Sequence, residues 1–363
     1  MDSPAPRRAL FVMIGKKDLP TGGYYFNRRM VRALENAGVE VRVLHVGTLP
    51  EEVRGSTIRT SIHVLKTCRE FDPGLVVISK SYRYVWALRL YLGFKPVPVL
   101  YLIHHLEWHD RGTEGSVFRR SMVRWLLKGT SGIWANSRST ADDLERLGIE
   151  PGKTTVVSPG LDKAPEAPPD RSGGRGPATI LCAGSVCPRK AQLDVVRACA
   201  RLKLKEWRLV LAGSMEACPD YAREVGELIE RLELGPRVEI VGHVERSDLR
   251  GLYRAADILV QPSLWEGFGM SVAEGMWWGL PVVASDRGAL PELVEDGRTG
   301  FLVAPGDVEV LAERIGLLLD SPRQRLRIGR SARSSAEEFD DWEQTSARFC
   351  RLAFDTAGWE SDE

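Results

Sequence analysis

Nowhere does the 363-residue chain run apolar for the ~20 consecutive positions that a bilayer-spanning helix needs. Its start, MDSPAPRRALFVMIGKK, has six apolar residues between arginines and lysines, too few for the core of a secretory signal. The expectation is a cytoplasmic protein, at most resting on the inner face of a membrane. Cysteine is scarce and scattered: Cys68, Cys182, Cys187, Cys199, Cys218 and Cys350 contain no C-x-x-C pair, so neither a zinc site nor a redox motif has support. Free thiols in a reducing compartment are expected. Net charge is nearly absent, at +1. Also missing are G-x-G-x-x-G and a Walker lysine after the first strand-like segment, which disfavours a dinucleotide enzyme or a P-loop ATPase. What is present is ordinary globular material, 43% hydrophobic and 27% charged, which excludes a disordered or collagen-like chain.

The near-zero total hides an asymmetry. Residues 1–165 carry a net +9 and residues 166–363 a net −8. The first half therefore suits an anionic partner: a phospholipid surface, a phosphorylated substrate or nucleic acid. No nucleic-acid motif accompanies the charge, which makes nucleic acid the weakest of the three. The length suits two cores of ~150–200 residues. Short apolar runs alternate with helical stretches throughout, the pattern of parallel sheets wrapped by helices, so the fold class is α/β. Strands are predicted at 9–14, 39–46, 75–79, 97–103, 132–136 and 154–157, and again at 179–183, 207–212, 238–242, 258–261 and 282–285. First-half helices are predicted at 24–37, 82–92, 116–128 and 139–147, and the tail turns helical from about Asp307. The Pro/Gly-rich KAPEAPPDRSGGRGP lets neither element continue. The predicted plan is a first domain at 1–165, a linker at 166–177, a second domain at 178–340 and a C-terminal segment at 341–363.

The densest chemical signal is PSLWEGFGMSVAE, Pro262 to Glu274, directly after a predicted buried strand. Its glycines open a helix in the crevice beyond a strand's carboxyl end, where doubly wound sheets bind ligands. There the amides of Phe268, Gly269 and Met270 favour an anion or sugar hydroxyls, and Gly267 and Gly269 let the backbone come close. Glu266 and Glu274 can face one ligand, and carboxylates accept hydrogen bonds from vicinal hydroxyls. Either glutamate alone reads more readily as a carboxylate capping the helix N-terminus; the whole string favours a ligand. A second site is AGSVCPRK, Ala183 to Lys190, again at a strand end. A cation there stabilises an anionic ligand better than it would in water. Near the N-terminus Gly22 and Gly23 join the first strand to the first helix. His104, His105 and His109 follow an apolar strand, with Glu107 between them, but they do not form H-E-x-x-H, and a metal is discounted.

Glu266 and Glu274 match the E-x7-E signature of the family 4 retaining glycosyltransferases, and ASDRGALPELVEDGRTGFLV, Ala284 to Val303, resembles that family's usual continuation. The resemblance implies the GT-B architecture, two Rossmann-like domains facing a central cleft, with the C-terminal helix returning to the first domain. It implies metal-independent, cofactor-free hexosyl transfer from a nucleotide sugar to a hydroxyl acceptor with retained configuration, UDP ranking ahead of GDP. Carried onto this chain, Glu274 binds donor ribose, while Glu266 and His104 lie near the transferred sugar. Lys190 is the phosphate-binding lysine, Gly22 and Gly23 approach the diphosphate, and the backbone at Val244 meets the base. The family's usual Arg after Gly184 is Ser185 here; Arg189, beside Lys190, reads either as the replacement cation or as a surface residue, since adjacent helical positions point ~100° apart. Two other readings of the same architecture stay open: a nucleotide-sugar 2-epimerase, and a non-catalytic sugar-nucleotide-binding subunit.

The segment from Ser116 to Lys128, SVFRRSMVRWLLK, places Phe118, Met122, Trp125 and Leu126 on one helical face and Arg120, Arg124 and Lys128 on another. It reads either as a helix for an anionic membrane surface or as an ordinary packed helix with a solvated charged side. Arg83, Arg89 and Lys95 add to the domain's positive charge, which favours a lipid-linked or phosphorylated acceptor.

Overall fold

The computed structural model describes residues 6–13, 21–54, 57–79, 97–106, 117–163, 176–202 and 205–360. They fall into two compact units: residues up to 160 together with those from 342 onward, and residues 161–341.

The first unit is a six-stranded sheet of β1 (Arg8–Met13), β2 (Glu40–His45), β3 (Leu75–Ser79), β4 (Val99–Ile103), β5 (Gly132–Ala135) and β6 (Thr154–Val156) in the order β2-β1-β3-β4-β5-β6. Every pairing is parallel. The central runs LVVIS, VLYLI and GIWA are buried at each position, as strands covered by helices on both faces must be. On one face the helix Gly22–Asn36 packs against the helix Trp342–Ala357, and Phe26 meets both Trp134, stacked at 4.3 Å, and Phe349, edge-on at 6.1 Å. Thr345 Oγ1 also donates to Ser158 O at 3.0 Å.

The second unit holds β7 (Ala178–Ala183), β8 (Trp207–Ala212), β9 (Val238–Gly242), β10 (Ile258–Gln261), β11 (Val282–Ser285) and β12 (Gly300–Val303), ordered β12-β11-β10-β7-β8-β9 and again parallel. Alternation along each strand supplies two cores. Ile180, Cys182, Leu209 and Leu211 face one helical layer, and Leu181, Ala183, Val210 and Ala212 face the other. The order reverses between β7 and β10, the first strand's two neighbours leading off in opposite directions.

Several elements differ from the sequence reading. β12 was not predicted; four residues, GFLV, between a turn and a loop are too few for a periodic signal. The helix Thr57–Phe71 was also missed, because its β-branched Thr, Ile and Val residues weaken local helix propensity. The first helix begins at Gly22, two residues early, because Thr21 caps it by accepting from Tyr24 N at 3.3 Å. The stripe assigned to Phe118, Met122, Trp125 and Leu126 is corrected. Adjacent positions point ~100° apart, so Leu126 is buried with Val123 and Leu127 while Trp125, 51% exposed, and Met122 look outward. The helix predicted at 82–92, Ser116, the side chain of Phe118 and most of the linker at 166–177 lie outside the described residues.

Candidate active site

In the second unit the loops after β7 and β10 leave adjacent parallel strands at the same sheet edge, the place where a doubly wound sheet binds ligands. They are tied by Leu264 N donating to Arg189 O at 2.8 Å. The turn Pro188–Lys190 carries both cations to one carboxylate: Lys190 Nζ lies 2.5 Å from Glu266 Oε1 and Arg189 Nη1 3.3 Å from Oε2. Arg189 also donates to Trp265 O at 2.8 Å. Although neighbours on a helical turn diverge, Glu266 lies over the turn and each cation reaches its own oxygen. Arg189 is thus part of the cluster and not a surface residue. Ser185, the position where the family's Arg was sought, has its carbonyl bound by Gln192 Nε2 at 3.1 Å.

Glu266 is buried, and burial alone would raise its pKa. The Lys190 charge, then that of Arg189, then hydrogen bonds from Lys190 and Ser263 overcome this and lower it from 4.5 to about 2. Ser263 Oγ donates to Oε1 at 2.7 Å, and itself accepts from Gln261 Nε2 at 2.8 Å. Two positive charges against one negative leave the cluster net cationic. Behind it, Ala289 N donates to Glu266 O at 2.9 Å. Gly288 passes so close that a Cβ there would lie 2.1 Å from that carbonyl, at φ +61°. In sequence Gly288 is one residue of the DRGALPE run, and nothing local marks this close approach.

The helix Met270–Trp277 follows, with Gly269 at its cap in the left-handed region, φ +97°. Its first backbone bonds run from Val272 and Ala273 to Gly269 O, so the amides just before them take no part in the helical ladder and remain for an anion. Phe268 is buried in the core and Gly267 is buried in the loop. Glu274 does not share Glu266's partners: its Oε1 lies 2.6 Å from Arg246 Nη2, and Tyr253 donates to its Oε2 at 3.0 Å. Burial, then the Glu274 charge, pushes the Tyr253 hydroxyl well above the usual phenol range, so it stays a proton donor. Arg246 also pairs with Asp162 at 3.0 Å. These residues, with Leu161, Leu249, Arg250, Trp277 and Trp278, line one cavity. Arg246 and Tyr253 were not foreseen, since nothing in their spacing from Glu274 announces a contact across 28 and 21 residues. Val244 is half-buried against the adjoining core, after Gly242.

In the first unit, Gly23 and His104 come together: a Cβ on Gly23 would lie 3.3 Å from the imidazole. His104 Nε2 is 3.1 Å from Asn27 Oδ1, Asn27 Nδ2 donates to Ser79 Oγ at 2.6 Å, and Asn136 Nδ2 holds the His104 carbonyl at 2.8 Å. Glu107 and His109 lie outside the described residues. All six cysteines are free, and burial pushes the thiols of Cys68, Cys182 and Cys199 up to about 12, so they stay protonated at neutral pH.

Two six-stranded parallel units wrapped by helices, the second with a cationic cluster and an ion-paired carboxylate at its switch point, define a GT-B-like architecture. Residues 169–335 match the family model for glycosyl transferases group 1, and residues 22–164 match that for glycosyltransferase family 4. The chain belongs to this glycosyltransferase family. It is 32% identical over 273 residues to an MMP α-(1→4)-mannosyltransferase of Mycolicibacterium hassiacum, covering 71% of this chain and 64% of that one. It is 36% identical over 231 residues to D-inositol 3-phosphate glycosyltransferase 2 of Catenulispora acidiphila, covering 59% and 53%. The chain thus spans between half and two-thirds of these curated relatives' length. Among solved structures, the sucrose-phosphate synthase of Thermosynechococcus elongatus superposes with TM-score 0.83 at 21% identity, covering 95% of this chain and 98% of that one. HepE of Anabaena, solved with UDP and glucose, does so with TM-score 0.76 at 21% identity, covering 94% and 98%. These likenesses establish a GT-B-like fold.

Proposed function

We propose that this protein moves a hexose from a nucleoside-diphosphate sugar, UDP ahead of GDP, to a hydroxyl acceptor with retained anomeric configuration. The observation that carries the reading is the net cationic group of Lys190, Arg189 and Glu266 at the strand edge that also presents the open amides before Val272. A diphosphate leaving as the glycosidic bond breaks gains negative charge, and fixed cations and amide dipoles stabilise that charge without reorganising. Glu274 accepts hydrogen bonds from the donor ribose, Val244 lies beside the base, and Gly22 and Gly23 offer backbone to the diphosphate. His104 makes a polar contact with the sugar being transferred. The departing phosphate oxygen takes the acceptor's proton from the same face, so no enzyme base is required. UDP in HepE and the mannosyl and inositol-phosphate activities of the named relatives support the donor class and a phosphorylated acceptor.

The test is incubation with a panel of nucleotide sugars, followed by thermal shift and product analysis. A bound donor raises the melting temperature by an amount that grows with the logarithm of its concentration over its dissociation constant. Slow release of free nucleotide is expected. An isomerised donor would identify an epimerase, and binding without turnover a silent subunit. Glu274→Ala is expected to weaken donor binding about tenfold, whereas His104→Ala slows turnover with little change in affinity. Unchanged affinity in the first variant removes the ribose assignment.

The acceptor is proposed to be lipid-linked or phosphorylated and met at an anionic membrane surface. Supporting this, the helix Val117–Lys128 turns Val117 (82% exposed), Met122 and Trp125 outward beside exposed Arg124 and Lys128. No described helix is long and apolar enough to cross a membrane. Sedimentation with vesicles containing anionic lipid is expected to lose most of its bound fraction in Trp125→Ser, and equal sedimentation with neutral vesicles would dismiss the surface.

A further inference from the structure

The carboxylate of Glu274 is held more firmly than ligand binding alone would ask. Arg246 occupies one oxygen and the Tyr253 hydroxyl the other, at 2.6 and 3.0 Å, and Arg246 is itself anchored on Asp162 at 3.0 Å. Tyr253 is 2% exposed, and its hydroxyl donates to the carboxylate from a buried position. The side chains of Asp162 and Glu274 are 18% and 12% exposed, so these are sheltered contacts in which a charged hydrogen bond keeps much of its strength. In this cavity Arg246 and Arg250 together balance Asp162 and Glu274, in contrast to the net cationic group around Glu266 in the same unit. A nucleoside diphosphate has the matching polarity: hydroxyl donors on its ribose, anionic oxygens on its phosphates.

Each oxygen of an ionised carboxylate accepts about two hydrogen bonds. With one position on each oxygen filled by protein, the plane of the carboxylate is fixed and the remaining lone pairs have set directions. An unsupported glutamate would have to freeze its side-chain torsions when ligand arrives, which weakens binding. We propose that Arg246, clamped by Asp162, is a positioning residue for Glu274, and that it makes the site select nucleotides carrying both ribose hydroxyls. This rests on the reading of Glu274 as the ribose acceptor, and the experiment separates the two.

Isothermal titration of the full chain with UDP and GDP, each beside its 2′,3′-dideoxy counterpart, gives the ratio of dissociation constants. In the wild type that ratio is expected to be about thirtyfold for the better base, the worth of hydrogen bonds to a charged acceptor. Arg246→Met is expected to lower it to about threefold, as Glu274→Gln does, and the double variant should fall no further, since residues acting as one unit are not additive. Arg246→Lys should restore part of the ratio. Asp162→Asn, which loosens only one end of the guanidinium, should leave about tenfold; these two variants decide the matter if Arg246→Met does not fold. Inorganic pyrophosphate, which has no ribose, should bind wild type and Arg246→Met alike, and a fall would mean general damage and overturn the positioning role. A full ratio in Arg246→Met with a lost ratio in Glu274→Gln overturns the role of Arg246 and keeps the ribose reading. A full ratio in Glu274→Gln, or no binding of either nucleotide by the wild type, overturns both.

Discussion

Lys190→Met is expected to lower stability by about 3 kcal/mol at pH 7 and to reduce sugar transfer ~10³-fold, with the stability deficit closing as the medium is acidified. The sign follows from Glu266. Burial pushes its carboxyl upward, and the Lys190 charge is the first of the influences that bring it from 4.5 down to about 2. A carboxyl whose pKa is lower folded than unfolded contributes stability fully above 4.5, and that contribution is lost as pH falls through about 2. Without Lys190, burial is opposed by Arg189 and Ser263 alone, and the carboxyl gives up most of this contribution. The difference between the two proteins should therefore be largest at neutral pH and shrink between pH 4.5 and 2, as read by urea denaturation at several pH values. A deficit of constant size across that range would mean that Lys190 supports the fold by packing and not through Glu266.

Gly288→Ala is expected to be nearly as damaging, although position 288 bears no functional group. The added Cβ would lie 2.1 Å from the Glu266 carbonyl and 2.9 Å from its nitrogen, both backbone atoms with no rotamer to yield. At φ +61° an alanine also pays for a left-handed conformation. Together these should cost about 3 kcal/mol or more. Because the segment that must shift carries Glu266, transfer should fall with stability. Gly297→Ala provides the comparison: φ is +76°, but nothing lies within 4 Å, so only the conformational cost of about 1 kcal/mol is expected, with activity retained. Paired thermal melts and donor-release assays check this. Equal melting temperatures in the two variants would remove the close approach as the cause.

The legible parts of the fold were those written locally. Strands such as Leu75–Ser79 and Val282–Ser285 are continuous apolar runs flanked by loop-forming residues, and their boundaries follow from burial on both faces. The helix Thr57–Phe71 and the strand Gly300–Val303 were less visible because each owes its state to packing more than to propensity. The same division holds at the site. Lys190, Glu266 and Glu274 stand out in sequence because glycines and strand ends surround them. Arg246 and Tyr253 lie in RSDLRGLYRA, which locally reads as an ordinary amphipathic helix.

The sequence by itself determined the class of architecture and the residue types available at the strand ends, because hydrophobic periodicity and glycine placement act over a few neighbouring positions. Only the tertiary structure decided which charges are partners. Arg189 and Lys190 both meet Glu266, 76 or more residues away, while Glu274 turns instead to Arg246 and Tyr253. The reason is that an ion pair is set by where chain crossings bring side chains out of water, and a buried charge takes whichever opposite charge that folding delivers.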